Sequence, residues 1–219
     1  MNLHKKVPRV AIVIPAFNEE EAISRVVNGT SGYGTVIVVN DGSTDNTEQV
    51  ALASGALVVS HDLNRGYDKA LATGLLKALG EQFDFAITFD GDGQHAPELI
   101  KYFLSELIGG ADIVIGYRDK YQRVSETVFA RLAKILWGIS DPLCGMKGYR
   151  LSKLKCIDSV CTYPSIGTEL AIRAVRSGWN IGQVAVNTFD RNGKSKFGAG
   201  LSANLRILRA MLLGVFLAK

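Results

Sequence analysis

Two aspartates separated by one glycine, Asp90-Gly91-Asp92, are the residues of this chain whose types and spacing point most directly to chemistry. Two carboxylates two positions apart on a loop, with glycines letting the backbone turn tightly, can hold one hard divalent cation, Mg²⁺ or Mn²⁺. Such a cation bridges a diphosphate and neutralises the charge that grows on it as a bonded group departs. Asp and Gly also make ordinary acidic β-turns, so spacing alone leaves both readings open.

Three more polar clusters have the composition of ligand-binding loops. In Asp41-Gly42-Ser43-Thr44-Asp45-Asn46-Thr47 the first aspartate can accept hydrogen bonds from a base or ribose, and Ser43 suits a helix N-cap. The whole segment equally reads as a capping turn. In Pro15-Ala16-Phe17-Asn18-Glu19 the backbone of Pro15 and Ala16 suits a nucleoside and Glu19 a sugar hydroxyl, while Asn18 can serve simply as a cap. In Asn64-Arg65-Gly66-Tyr67-Asp68-Lys69-Ala70 the cations Arg65 and Lys69 flank Gly66 just before a helical stretch. That arrangement suits a phosphate at a helix N-terminus, and nearly as well a solvated basic turn.

These clusters matter only if the fold brings them together. Residues 9–15 (RVAIVIP), 35–40 (TVIVVN), 56–60 (ALVVS), 83–89 (FDFAITF) and 111–116 (ADIVIG) are near-continuously apolar, as strands buried on both faces should be. Helical spacing fills the intervals at 19–28, 44–54, 69–79 and 97–108, with Asn18 and Ser43 as caps and Pro97 in a first turn. The alternation predicts an α/β fold: a Rossmann-like, mostly parallel twisted sheet flanked by helices. Ligands of such sheets bind beyond the carboxyl ends of the strands, where Asn18-Glu19, Asp41 and Asp90-Gly91-Asp92 all fall. The second half is less regular. It offers helical spacing over 121–137, a turn at 141–145, a short strand over 146–150 and a helix over 168–177. A strand over 181–189, a basic glycine-rich loop over 190–200 and a helix over 201–217 follow. No repeat or linker interrupts the 219 residues, which predicts a single domain.

Composition narrows the classes of partner. The chain is 47% hydrophobic and 21% charged, ordinary for a globular protein, and its net charge of +4 is too small to argue for nucleic acid. It suits an anionic ligand or a lipid head-group surface. Cys144, Cys156 and Cys161 lack CxxC spacing and are odd in number, which argues against a disulfide framework or zinc site and for a reducing compartment. Residues 10–14 are too short for a signal-peptide core, and no stretch reaches the roughly 20 apolar residues that span a bilayer. The expectation is a cytoplasmic protein, peripheral to any membrane it meets.

In order along the chain, IPAFNEE, VVNDGSTDNT, LNRGYDKALATG and DGDGQH resemble the nucleotide-sugar-binding motifs of glycosyltransferase family 2. They resemble most closely those of its polyprenol-phosphate (dolichol-phosphate) mannosyl- and glucosyltransferases. DPLCGMKGYR and RNGKSKFG are similar to motifs of that branch, so the resemblance runs from residue 10 to residue 198. It implies a GT-A fold with a nucleotide-sugar-binding half (1–116) and an acceptor-binding half (117–219). The implied reaction is inverting, metal-dependent transfer of a hexose, from GDP-mannose or UDP-glucose, to a polyprenyl or dolichyl phosphate at the cytoplasmic face of a membrane. By family position Asp41 contacts the nucleoside, within a donor site of Pro15, Ala16, Asn18, Glu19, Gly66, Lys69, Asp90, Gly91 and Arg191. Asp90, Asp92 and Gln94 surround Mg²⁺ or Mn²⁺. Asp92, Arg118 and Lys196 carry catalysis, and Arg131, Asp141, Glu169 and Ser195 face the acceptor. Met146-Lys147 departs from the aromatic and arginine more usual after that glycine, which bears on acceptor recognition rather than on reaction class.

A phosphate acceptor is an anionic nucleophile at neutral pH, so it needs positioning and charge screening more than a base. Asp141 and Glu169 stand as candidate bases or sugar-hydroxyl acceptors, yet Asp141 equally suits the Pro142 turn and Glu169 a helix N-terminus. Val124, Val128 and Ile135 make one apolar stripe beside Arg123, Arg131 and Lys134; Leu201, Leu205, Leu208, Leu212 and Val215 make another, with Arg206 and Arg209 on other faces. Such helices suit a membrane interface, although stripes at this spacing also pack on a core. For the last helix a membrane surface or a partner subunit, hence a homo-oligomer, is expected. Three alternatives stand beside this reading. One is a family 2 enzyme acting on a soluble sugar or polysaccharide. A nucleotidyltransferase would want a glycine-rich Arg/Lys loop where this chain reads AFNEE. The last is a non-catalytic nucleotide-binding protein, against which the retained acidic pair argues.

Overall fold

The computed structural model describes residues 7–121, 123–156, 160–165, 167–187 and 201–216, with the side chains of residues 201 and 202 excepted. Seven strands form one sheet: β1 (Val10–Ala16), β2 (Thr35–Asn40), β3 (Leu57–Ser60), β4 (Phe85–Thr88), β5 (Ile113–Tyr117), β6 (Lys147–Arg150) and β7 (Ile181–Ala185). Their order is β3-β2-β1-β4-β6-β5-β7. The first four are parallel, β6 is antiparallel to both β4 and β5, and β7 is parallel to β5. The expected mostly parallel α/β sheet is therefore present, with one reversed strand.

Continuous apolar runs follow from burial on both faces. Along β1, Ala11 and Val13 join one core cluster, while Val10, Ile12, Ile14 and Ala16 join the other. The first face is covered by α3 (Tyr67–Gly80), α5 (Val124–Trp137), α7 (Glu169–Arg176) and α8 (Leu201–Phe216), through Leu75, Phe129, Ala171 and Ile207 among others. The second is covered by α1 (Ile23–Thr30), α2 (Thr47–Ala53) and α4 (Ile100–Ile108), through Val27, Ala51 and Phe103. A short turn of helix, α6 (Leu151–Leu154), follows β6.

The strand order reverses at β1: the chain moves outward to β2 and β3, then returns to place β4 on the other side. The crevice beyond the carboxyl ends of β1 and β4 is thus a topological switch point, the expected ligand position in such a sheet. Pro15-Ala16 leaves one strand there and Asp90-Gly91-Asp92 leaves the other.

Both expected caps are displaced. Asn18 has a left-handed backbone (φ 53) and α1 begins only at Ile23. Its amide N–H donates to Ser43 Oγ at 3.0 Å, and its side-chain oxygen accepts from the Thr44 N–H at 2.8 Å. Ser43 likewise does not cap α2, which begins at Thr47. These short polar side chains join the loops after β1 and β2 to each other. Helix capping and loop bridging call for the same residue types, so sequence alone could not separate them.

Candidate active site

A cleft of about 600 Å³ opens at the switch point. Pro15, Ala16, Phe17 and Glu19 line it from the β1 loop, Asp41 from the β2 loop, and Asn64, Gly66, Tyr67 and Asp68 from the start of α3. Asp90, Gly91 and Asp92 line it from the β4 loop, and Leu143, Gly145, Pro164, Arg206 and Arg209 from the second half. Four clusters far apart in the chain therefore converge, three of them where their placement at strand ends predicts.

Asp90 is held by a histidine. Its Oδ2 lies 3.1 Å from His95 Nε2, and His95 packs edge-on against Phe89 with ring centroids 5.8 Å apart. Gly145 backs the carboxylate: a Cβ there would stand 2.5 Å from Asp90 Oδ1. Burial alone would raise the Asp90 carboxyl, but the hydrogen bond and electrostatic pull of His95, with Lys147 and Arg118 beyond, hold it below its ordinary value. It is thus ionised at neutral pH, as a metal ligand must be. Asp92 Oδ1 accepts the Gln94 N–H at 3.0 Å, closing the turn. Among the described residues no three His, Cys, Asp or Glu side chains gather closely enough to hold a metal ion by themselves. Two carboxylates on one cleft make a partial, all-oxygen donor set. That fits a hard cation whose remaining ligands are water and phosphate, as Mg²⁺ and Mn²⁺ commonly are held. Gln94 adjoins the pair in the loop but does not line the cleft.

Asp41 also lines the cleft, and both of its oxygens are occupied. Oδ1 lies 2.7 Å from His61 Nδ1 and accepts the Arg65 N–H at 2.9 Å; Oδ2 accepts the Gly66 N–H at 2.8 Å. His61 Nε2 continues to Thr73 Oγ1 at 2.9 Å. The residue expected to face the nucleoside thus holds the 61–66 loop against β2. Gly42 (φ +68) permits this closeness, since a Cβ there would meet the Leu63 carbonyl carbon at 2.5 Å. Lys69 is exposed on the first turn of α3, and neither it nor Asn18 lines the cleft.

Arg118, expected in catalysis, and Asp141, Glu169 and Arg131, expected to face the acceptor, do not line the cleft. Arg118 donates from Nε to Asp141 Oδ2 at 2.7 Å and from its terminal nitrogen to Oδ1 at 3.2 Å, and lies 3.6 Å from Glu126. Asp141 is 1% exposed and also accepts the Leu143 N–H at 3.2 Å. Neither lines the cleft. Burial would lower the Arg118 guanidinium, but its bonds to Asp141 outweigh this and fasten the proton more firmly. The pair is an internal fastener of the loop after β5, so Asp141 is not placed as a base. Glu169, 2% exposed, accepts from the Thr162 N–H at 2.8 Å and faces Arg173 at 3.5 Å, which pins the 160–165 loop instead of reaching a ligand. Arg131 is exposed on α5, away from the cleft. Arg191, Ser195 and Lys196 lie outside the described residues.

Several lining residues were not singled out from the sequence. Burial, with Asp90 as the largest charge contribution, holds the Tyr67 phenol well above its ordinary value, so it stays a hydrogen-bond donor. Asp68 accepts from Ser165 Oγ at 3.0 Å and from the Gly167 N–H at 2.7 Å, joining α3 to the loop before α7. Lys147 is 2% exposed, donates to the Cys144 carbonyl and has its ammonium lowered by burial. Burial also pushes the Cys144 thiol up to about 12, leaving it inert. Arg206 and Arg209 enter the cleft from α8, the helix read only for its apolar stripe.

Comparison with known proteins agrees with this architecture. The family model "Glycosyl transferase family 2" matches residues 11–158. A dolichyl-phosphate hexose transferase of Haloferax volcanii is 30% identical over 93% of this chain and 94% of its own. A UDP-N-acetylglucosamine–dolichyl-phosphate N-acetylglucosaminyltransferase of Methanococcus voltae is 27% identical over 93% of this chain and 95% of its own. In fold, the chain matches glucosyl-3-phosphoglycerate synthase of Mycobacterium tuberculosis, solved with Mn²⁺, uridine diphosphate and glucosyl-3-phosphoglycerate. The TM-score is 0.75 at 23% identity, covering 94% of this chain and 79% of that one. The cleft at the β1–β4 switch point, the acidic loop that closes it and the family match across most of the sheet lead to one assignment: the chain belongs to glycosyltransferase family 2.

Proposed function

We propose that the enzyme transfers a hexose, with inversion, from a nucleotide-sugar to a polyprenyl phosphate while resting on an anionic membrane surface. The observation that carries this reading is the position of the cleft beside an exposed apolar surface on two packed helices. On α5, Val124, Val128 and Ile135 are 80%, 46% and 81% exposed, and on α8 Leu205, Leu212 and Phe216 are 59%, 53% and 70% exposed. These residues therefore face outward; the core takes Phe129, Ala133, Ile207 and Ala210 instead. Exposed Arg131 and Lys134 flank them on α5. Apolar area rimmed by cations suits a bilayer interface with anionic lipids. No helix among the described residues is long and apolar enough to cross a membrane, so contact would be peripheral. Two relatives carry dolichyl phosphate in their names, which supports the same class of acceptor.

Within the cleft, Pro15, Ala16 and Phe17 give the nucleoside a wall, and the 64–66 loop, fixed through Asp41, gives it an edge. Asp90 and Asp92 would hold Mg²⁺ or Mn²⁺, which supplies charge neutralisation to the departing diphosphate. Tyr67, kept protonated, donates into the same space. A phosphomonoester needs no proton removed before it attacks, which agrees with Asp141 and Glu169 being engaged inside the protein.

The test is transfer from radiolabelled GDP-mannose, UDP-glucose and UDP-N-acetylglucosamine in the presence of polyprenyl phosphate and anionic liposomes. The expected result is label in the organic phase with one donor, by protein that sediments with the liposomes. Label confined to water-soluble product would assign the enzyme a soluble acceptor instead.

A further inference from the structure

The sheet order gives the cleft two ends. Pro15 and Ala16 enter it from the end of β1, Asp41 from the loop after β2, Asp90 and Asp92 from the loop after β4, and Leu143 and Gly145 from the turn before β6, so along the sheet order the acidic pair lies between the β1 and β2 loops and that turn. The lining is strongly acidic, with Glu19, Asp41, Asp68, Asp90 and Asp92 all contributing. Among the described residues its only cations are Arg206 and Arg209, both brought by α8. They stand three apart, so they share one helix face. Among the described residues neither has a hydrogen-bond or ion-pair partner, whereas Arg118 is paired with Asp141 and Glu126. An anion beside them would therefore meet two guanidinium groups without displacing a carboxylate from either.

The helix that carries them is fixed. Ala203, Ile207 and Ala210 are buried in the core, and Ser125 Oγ on α5 donates to Asn204 Oδ1 at 2.5 Å. Leu205 and Leu208, each immediately before one of the arginines, are 59% and 36% exposed, so α8 carries outward apolar area beside them. Three faces of one helix thus meet the core, the cleft and the outside.

We propose that Arg206 and Arg209 are the phosphate clamp of the acceptor site: their forked N–H donors take the phosphomonoester, and its hydrocarbon leaves over Leu205, Leu208 and Leu212. Guanidinium groups match two phosphate oxygens at once, which a lysine ammonium cannot do. The clamp rests on the reading of the cleft as a sugar-transfer site and requires a phosphate on the acceptor. Whether that phosphate is a lipid's or a soluble molecule's is separable by experiment.

The full chain and its R206A, R209A and R206K/R209K variants are compared in steady state, with donor and acceptor varied independently. Both side chains are exposed and alanine favours helix, so the fold is expected to survive; thermal melting checks this. Each alanine variant should raise the KM for polyprenyl phosphate roughly tenfold or more, the size of one charge-assisted hydrogen bond. The KM for the nucleotide-sugar should stay within about twofold, and the double lysine variant should recover only part of the loss. Raised donor KM at constant acceptor KM, or kinetics equal to wild type in all three, overturns the clamp while leaving the lipid-acceptor reading intact. If wild type ignores polyprenyl phosphate and uses a soluble phosphomonoester whose KM the variants raise, the clamp stands and the lipid reading falls.

Discussion

Gly145 lies so close to Asp90 that a Cβ on it would stand 2.5 Å from one carboxylate oxygen and closer still to the other. The turn after α5 and the loop after β4 thus touch at the acidic pair, and only hydrogen at that position leaves the carboxylate where it is. Gly145→Ala is expected to weaken Mn²⁺ binding roughly 10- to 100-fold, as displacing a ligand's support does. Gly32→Ala, which meets open space, is the control. Equal Mn²⁺ affinity in both variants, by isothermal titration, would show that Asp90 does not need this contact.

His61 is expected to act through Asp41 as a positioning residue. Replacing it with Asn shortens the link from Asp41 to Thr73 and loosens the loop that brings Asn64 and Gly66 to the cleft. Small displacements of positioning groups cost up to about a hundredfold in rate. The donor KM should rise roughly tenfold with little change in acceptor KM. A uniform fall in kcat at unchanged donor KM would contradict this role.

The Arg118–Asp141 pair should matter to stability first. Removing one partner of a buried ion pair leaves the other uncompensated and costs about 3–5 kcal/mol. Asp141→Ala should therefore lower the urea midpoint markedly. A variant as stable as wild type yet inactive would return Asp141 to the candidate bases.

Acid stability should depend on Asp112. It accepts the Asn180 N–H at 3.1 Å and faces Lys153 at 3.2 Å and Arg150 at 3.5 Å, joining the ends of β5, β6 and β7. Burial opposes ionisation, but these partners prevail and hold its carboxyl below the ordinary value of 3.8. A depressed folded value means that the stabilisation is present above about pH 4 and is lost as pH falls through the folded value. Asp112→Asn should thus lower the urea midpoint at pH 7 and matter less at pH 3. An equal loss at both would assign the effect to packing.

Much of the scaffold is legible in the sequence because buried parallel strands have no polar face to alternate. Residues 35–40 read as a strand to the residue, and the acidic and glycine-rich clusters fell at strand ends as the fold requires. Pairing was not legible. Arg118 and Asp141 are 23 positions apart, and nothing in either residue's type says that each is the other's partner. The last helix was legible in part: its leucine stripe left a core and an interface both open, and the structure turns Leu205, Leu208 and Leu212 outward while Ala203 and Ala210 pack inside and Arg206 and Arg209 reach the cleft.

Binding of Mn²⁺ together with a nucleoside diphosphate, followed by electron paramagnetic resonance in wild type and Asp92→Ala, tests the acidic pair most directly. Wild type should bind the metal with nucleotide present, and the variant should lose at least about tenfold in affinity, one charge-assisted ligand's worth, at an unchanged melting temperature. Equal Mn²⁺ binding by a folded Asp92→Ala protein would contradict a metal site at the end of β4.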